Sequence, residues 1–146
     1  MAELTITRLF DAPRELVYAA WTDPDQLARW LGPRGFTGSA VTVDARPGGL
    51  WRACITSPDG DEHWMRGVYR ELDPPSRIVF GFVWETEGDL RAETLVSIGF
   101  ADAGGKTEMT FTQRGFPTGG DRDGHHTGWT ECFERLAGHL HGKEPR

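Results

Sequence analysis

At 146 residues the chain is long enough for one ordinary domain with its own hydrophobic core and too short for two of typical size, so a single domain spanning 1–146 is expected. Lys and Arg number 16 against 22 Asp and Glu; the formal charge of -6 repels phosphate backbones, and no basic run with interleaved aromatics is present, so nucleic acid is not an expected partner. Neither a signal-peptide pattern nor 18 uncharged apolar residues in a row can be found, which argues against membrane insertion and for a soluble, cytoplasmic protein.

In chain order, "ELTITRLF" (3–10) alternates as a strand and is stopped by Pro13, which fits the first turn of a helix. Within "PRELVYAAW", Leu16, Val17, Ala20 and Trp21 mark a buried helical stripe. "TDPDQLARWLGP" starts a second short helix: Asp23 caps, Pro24 fits the first turn, Gln26 completes a capping-box pattern, and Leu27, Trp30 and Leu31 form the apolar face. From Phe36 to Phe116 the period changes to two, broken by the turns "RPGG", "SPDGDE", "LDPPS", "ETEGD" and "DAGGK". Six strands are predicted, at 36–45, 49–57, 62–72, 77–85, 92–101 and 106–115, paired antiparallel as a meander. After the Gly-rich loop "FPTGGDRDG", Trp129, Phe133, Leu136 and Leu140 share one face of a terminal helix, with Glu131, Glu134 and Arg135 opposite and Gly142 as a stop.

This order predicts an α+β protein in which seven strands curve round one helix. A seven-stranded sheet is about 30 Å wide, whereas a helix with its side chains is about 10 to 12 Å across. One helix cannot cover such a face; the sheet must curl, and the two short helices must close an end. Alternation assigns to the concave side Trp51, Ala53 and Ile55; Trp64, Arg66 and Val68; Phe80, Phe82 and Trp84; Val96, Ile98 and Phe100; and Met109 and Phe111. The phase of 62–72 is the weakest of these, because Met65 and Tyr69 lie on the other face and a one-residue bulge exchanges the sets. A curled, aromatic-rich sheet can leave an apolar pocket of the kind small molecules occupy; the competing expectation is an interior filled by its own side chains.

The stretches "TRLFDAPRELVYAAWTDPDQLARWLGP", "ARPGGLWR", "RGVYRELDPPSRIVF", "TEMTFTQRGFP" and "HHTGWTECFERLAGHL", in this order, resemble the AHSA1-like branch of the START/Bet v 1 superfamily, also called SRPBCC proteins. The resemblance runs from about Leu4 to Leu140. It implies the helix-grip fold, a seven-stranded antiparallel sheet wrapped round a long C-terminal helix and enclosing a hydrophobic cavity. It also implies small-molecule chemistry: members bind lipids, sterols, polyketides, plant hormones or enediyne-type antibiotics, and some are aromatase/cyclases. The eukaryotic namesakes of the branch stimulate the ATPase of Hsp90 with the help of a separate N-terminal module that these residues lack, so chaperone activation is not expected. Arg8, Asp11, Ala12 and Pro13 match the family's first strand-to-helix junction, and Gly128 with Trp129 the opening of its gripping helix.

The candidate ligand-binding set is therefore Trp30, Trp51, Ala53, Trp64, Arg66, Val68, Phe80, Phe82, Trp84, Val96, Ile98, Met109, Phe111, His125, His126, Trp129 and Phe133. No cofactor motif is read. His125 and His126 point about 100° apart on a helix and cannot share a metal at the usual i, i+4 spacing, so they are placed at the cavity mouth. Cys132 and His126 lie some 9 Å apart along a helix, too far for a nucleophile and its base; Cys132 and Cys54 read as core or interface thiols. An inward Arg66 needs a partner, either Glu108 or Glu93 or a polar group of the ligand. Glu131 and Arg135 read as a surface i, i+4 pair. The expected function is carriage, sensing or sequestration of a hydrophobic, aromatic or polycyclic molecule, with an aromatase/cyclase-like enzyme or an Hsp90-type regulator as alternatives and a homodimer left open.

Overall fold

The computed structural model describes residues 2–85 and 93–141. Its elements are β1 (Ala2–Phe10), α1 (Arg14–Thr22), α2 (Pro24–Trp30), β2 (Thr37–Val43), β3 (Leu50–Thr56), β4 (Glu62–Asp73), β5 (Arg77–Trp84), β6 (Thr94–Ala103), β7 (Lys106–Phe116) and α3 (Gly119–Leu140). The predicted turn "ETEGD" from its second residue, the first residue of the predicted strand 92–101 and the stop at Gly142 lie outside the described residues. No helix among those described is long and apolar enough to cross a membrane.

All strand pairs are antiparallel, in the order β1-β7-β6-β5-β4-β3-β2. The first strand returns beside the last, so β1 and β2 form opposite edges and α1 and α2 bridge the gap between them. Asp23 links these two helices: its Oδ1 accepts from Asp25 N–H at 3.0 Å and its Oδ2 from Gln26 Nε2 at 3.1 Å, so it caps α2 through both a backbone and a side-chain donor. On α1 the buried stripe is Val17, Tyr18, Ala20 and Trp21; Leu16, expected inside, is 53% exposed.

α3 lies across the concave face and buries Trp129, Cys132, Phe133 and Leu136. Phe133 packs edge-on against Phe111 at 5.2 Å and Trp21 at 6.0 Å, and Trp30, fully buried, packs against Trp21 at 4.7 Å. The helix starts at Gly119, ten residues before Trp129, with Thr118 Oγ1 accepting from Asp121 N–H at 3.0 Å as its cap. Most of the stretch expected as a Gly-rich loop is thus helical, and Gly128 and Trp129 sit in mid-helix rather than at its opening.

The phase of β4 is opposite to that expected. Met65 and Tyr69 face inward at 2% and 4% exposure, while Trp64, Arg66 and Val68 lie on the outer face. Register explains why: Trp51 pairs with Gly67 and Ala53 with Met65, and directly opposed residues of an antiparallel pair share a face. Gly67 is the inward residue between Met65 and Tyr69, and no side chain fits there because the Trp51 indole and the Gly81 carbonyl occupy the space. Trp51 Nε1 donates to that carbonyl at 3.2 Å. Trp64 instead lies beneath the Arg52 guanidinium, 4.0 Å from its ring centroid, and Arg52 makes a forked pair with Glu85 at 2.7 and 2.8 Å. With Arg66 outside, the internal ion pair with Glu108 or Glu93 has no basis; Glu93 pairs with Arg70 at 3.5 Å.

Candidate functional site

The aromatic side chains do not fill the interior. A cavity of about 310 Å³, open on one side, lies between the sheet, the loop after α2 and the N-terminal half of α3. The sheet contributes Ile55, Met65, Phe82 and Trp84, the loop Leu31, Gly32 and Pro33, and α3 Gly120, Asp121, Gly124, His125, Gly128, Trp129 and Cys132. A second, smaller cavity of about 20 Å³ lies deeper, among Trp21, Leu27, Leu31, Trp51, Met65, Tyr69, Ile78, Phe80 and Trp129.

The room comes from α3. Gly120, Gly124 and Gly128 recur every fourth residue, so they fall on one stripe of the helix and present backbone where other residues would present side chains. A Cβ at Gly124 would meet nothing within 4 Å, and one at Gly128 would just touch Pro33 Cγ at 3.7 Å. Helical Gly costs about 0.8 to 1 kcal/mol relative to Ala, so three of them in one helix keep space open at the expense of stability.

The opposite wall is held by Arg135. Its Nη1 donates to the carbonyls of Gly32 (2.9 Å), Leu31 (3.2 Å) and Pro33 (3.4 Å), and its Nη2 to that of Arg29 at 3.1 Å. The guanidinium therefore satisfies the carbonyl end of α2 and fixes the loop that lines the cavity. Gly32 N–H donates to Cys132 Sγ at 3.3 Å, and Arg34 N–H to Glu131 Oε1 at 3.0 Å. Gly32 has φ +111°, and a Cβ there would press on Phe36 at 3.0 Å and Ile55 at 3.3 Å, so the loop needs glycine. Arg135 and Glu131 are thus not partners of each other; both are spent on this loop.

At the mouth, Trp84 Nε1–H donates to His125 Nε2 at 2.9 Å, and His125 Nδ1 lies 2.8 Å from the Asp121 carbonyl. This network assigns the proton to Nδ1, because Nε2 must accept and a carbonyl can only accept. Both ring nitrogens are occupied in this arrangement. At the floor, Trp129 Nε1 donates to Gln113 Oε1 at 2.8 Å, Gln113 Nε2 to Thr94 Oγ1 at 2.8 Å, and Thr94 Oγ1 to the Phe82 carbonyl at 3.3 Å. This buried polar chain locks the Trp129 ring that the cavity rests on.

Of the candidate residues, Phe82, Trp84, His125 and Trp129 line the larger cavity, and Trp51 and Phe80 the smaller one. Ala53, Val96, Ile98, Met109, Phe111, Phe133 and Trp30 are buried but line neither, packing the core beneath α3 and α2. His126 is exposed and, like Trp64, Arg66 and Val68, contributes no wall. Missed were Met65, hidden by the phase error, Ile55, placed on the concave side but left out of the set, the Leu31–Pro33 loop, Asp121, Cys132 and the glycine stripe. The i, i+4, i+8 spacing of Gly120, Gly124 and Gly128 is the signal that could have found the last group. Among the described residues no three of His, Cys, Asp and Glu converge to hold a metal.

Burial pushes the Cys132 thiol up to about 12. Its thiolate therefore gains population only as pH rises toward that value, and at pH 8 iodoacetamide should alkylate Cys132 at least about 100-fold more slowly in the folded protein than in urea. Mass-spectrometric peptide mapping of timed samples checks this; equal rates would mean that the thiol is not shielded as described.

An antiparallel seven-stranded sheet gripping one long helix, with an apolar cavity between them, defines a helix-grip protein. A family described as Activator of Hsp90 ATPase homolog 1-like protein matches residues 11–141, and the chain belongs to that family. Solved structures with the same architecture include the AHSA1 protein from Silicibacter pomeroyi (26% identity, TM-score 0.86, covering 95% of this chain and 97% of that one). A protein from Chromobacterium violaceum is similar at 28% identity and TM-score 0.84, covering 94% and 96%. One from Rhodobacter sphaeroides has 27% identity and TM-score 0.81, covering 98% and 95%. No curated protein matches the chain in sequence.

Proposed function

We propose that this protein binds a hydrophobic aromatic small molecule in the cavity between α3 and the sheet, as a carrier, sensor or sequestering protein. The observation that supports this most is the glycine-lined, aromatic-walled cavity of about 310 Å³, at the lower end of the range typical of small-molecule sites. Trp84, Trp129 and Phe82 offer ring faces, and burying about 250 Å² of ligand apolar surface contributes roughly 6 kcal/mol before the costs of association. Binding is favoured over cyclase-type chemistry because the histidine and the thiol on the cavity wall are committed, leaving Asp121 as the one carboxylate among the described lining residues. His125 is bonded at both nitrogens, and the Cys132 thiol is held in its neutral form.

The test is titration with 1-aminoanthracene, whose emission rises on leaving water. Saturable one-to-one uptake in the micromolar range is expected, together with a retained small molecule in native mass spectra of protein taken from its own host. A folded protein that shows no saturable uptake of the probe and carries nothing from its host would overturn the reading.

A further inference from the structure

Behind the cavity, the fold leaves a buried donor without a partner on a cavity wall; among the described residues the Tyr18 hydroxyl is also buried without one, but Tyr18 lines neither cavity. Trp21, on α1, is 4% exposed, lines the inner cavity, and its Nε1–H makes no hydrogen bond. The neighbouring buried indoles are all served: Trp30 donates to the Ala20 carbonyl at 3.0 Å, Trp51 to that of Gly81 at 3.2 Å, and Trp129 to Gln113 at 2.8 Å. A buried polar group in a native protein normally has a partner, and this unmet N–H, on a cavity wall, is open to one supplied from the cavity.

Leu31, Met65 and Trp129 line both cavities and so form the partition between them. Two of the three are fixed, Leu31 in the loop clamped by Arg135 and Trp129 by Gln113. Met65 is unbranched and adaptable, which makes it the part that can move aside. The inner space, about 20 Å³, holds roughly one water-sized group. Tyr69, on its wall, is a neutral phenol whose pKa burial raises further. No Lys or Arg lines either cavity among the described residues, so a carboxylate entering this end would lie unpaired.

We propose that the ligand carries an uncharged carbonyl-type oxygen on its leading end, which passes Met65 and accepts a hydrogen bond from Trp21 Nε1–H. This rests on the reading of the larger cavity as the ligand site and narrows the ligand class to aryl ketones, aldehydes or quinone-like rings. A carbonyl oxygen only accepts, which suits a chamber whose indole can only donate.

Two probes of one shape test it: 2-acetylnaphthalene and 2-isopropenylnaphthalene, which differ by oxygen in place of a methylene. Calorimetric titration should show the ketone bound about tenfold more tightly. In Trp21→Phe, which keeps an aromatic ring but removes the N–H, the ratio should fall to about one. The Trp21 indole proton–nitrogen resonance of the unaltered protein should shift with the ketone and not with the hydrocarbon, a readout that holds even if the variant fails to fold. Equal affinities with an unmoved indole resonance would overturn the inference and leave the cavity reading intact, as would a preference that survives Trp21→Phe. Binding of neither naphthalene would overturn the inference, and the cavity reading falls with it only where 1-aminoanthracene is not taken up and nothing is carried from the host.

Discussion

Gly128→Leu is expected to weaken 1-aminoanthracene binding at least tenfold while making the protein more stable. The side chain starts from a Cβ in ordinary contact with Pro33 at 3.7 Å and extends into space that the cavity leaves open between α3 and the sheet. Replacing a helical Gly with Leu adds about 0.5 to 1 kcal/mol through helix propensity alone, which in a chain of this size raises Tm by about 2 to 3 °C. Most substitutions that abolish binding also destabilise, so the opposite signs of the two effects make the result diagnostic. Gly128→Ala is the control: it should gain similar stability with less loss of affinity, because a methyl group fills little of the cavity. If the Leu variant takes up the probe like the unaltered protein, the cavity is not where the probe binds.

Arg135→Met is expected to cost about 3 kcal/mol, measured by urea unfolding. The substitution keeps the aliphatic stem but removes donors from four carbonyls, those of Arg29, Leu31, Gly32 and Pro33, at the end of α2 and in the loop that follows. Arg135→Lys should recover only part of the loss, since one ammonium group cannot reproduce a planar fork that reaches all four. Probe binding should weaken in both variants, because Leu31, Gly32 and Pro33 form a wall of the cavity. A loss under about 1 kcal/mol for Arg135→Met would mean that the loop holds its shape through Cys132 and Glu131 alone.

Much of the architecture was legible in the sequence because period-two alternation, Pro and Gly punctuation and the i, i+4, i+7 pattern of Trp129, Phe133 and Leu136 are local consequences of burial. The candidate site was legible only in part. Phe82, Trp84 and Trp129 followed from alternation and helical spacing and line the larger cavity. β4 was misread because its inward position 67 is a glycine and carries no apolar signal, while Trp64 looks like a core residue until the Arg52 guanidinium is seen stacked on it. Residues 119–124 at the start of α3 were read as a loop, since Gly119, Gly120 and Gly124 argue against a helix on propensity.

By itself, then, the chain determined its strand and helix succession, its curved sheet with one gripping helix, and the aromatic composition of the interior, all of which depend on residues near one another in sequence. Only the tertiary structure decided which aromatics face a cavity rather than core, where Arg135 directs its donors, and that Trp21 keeps an unmet N–H. Those properties depend on what arrives from distant parts of the chain: a Trp51 indole over Gly67, a loop after α2 beneath α3, and a partition of Leu31, Met65 and Trp129 drawn from three separate segments.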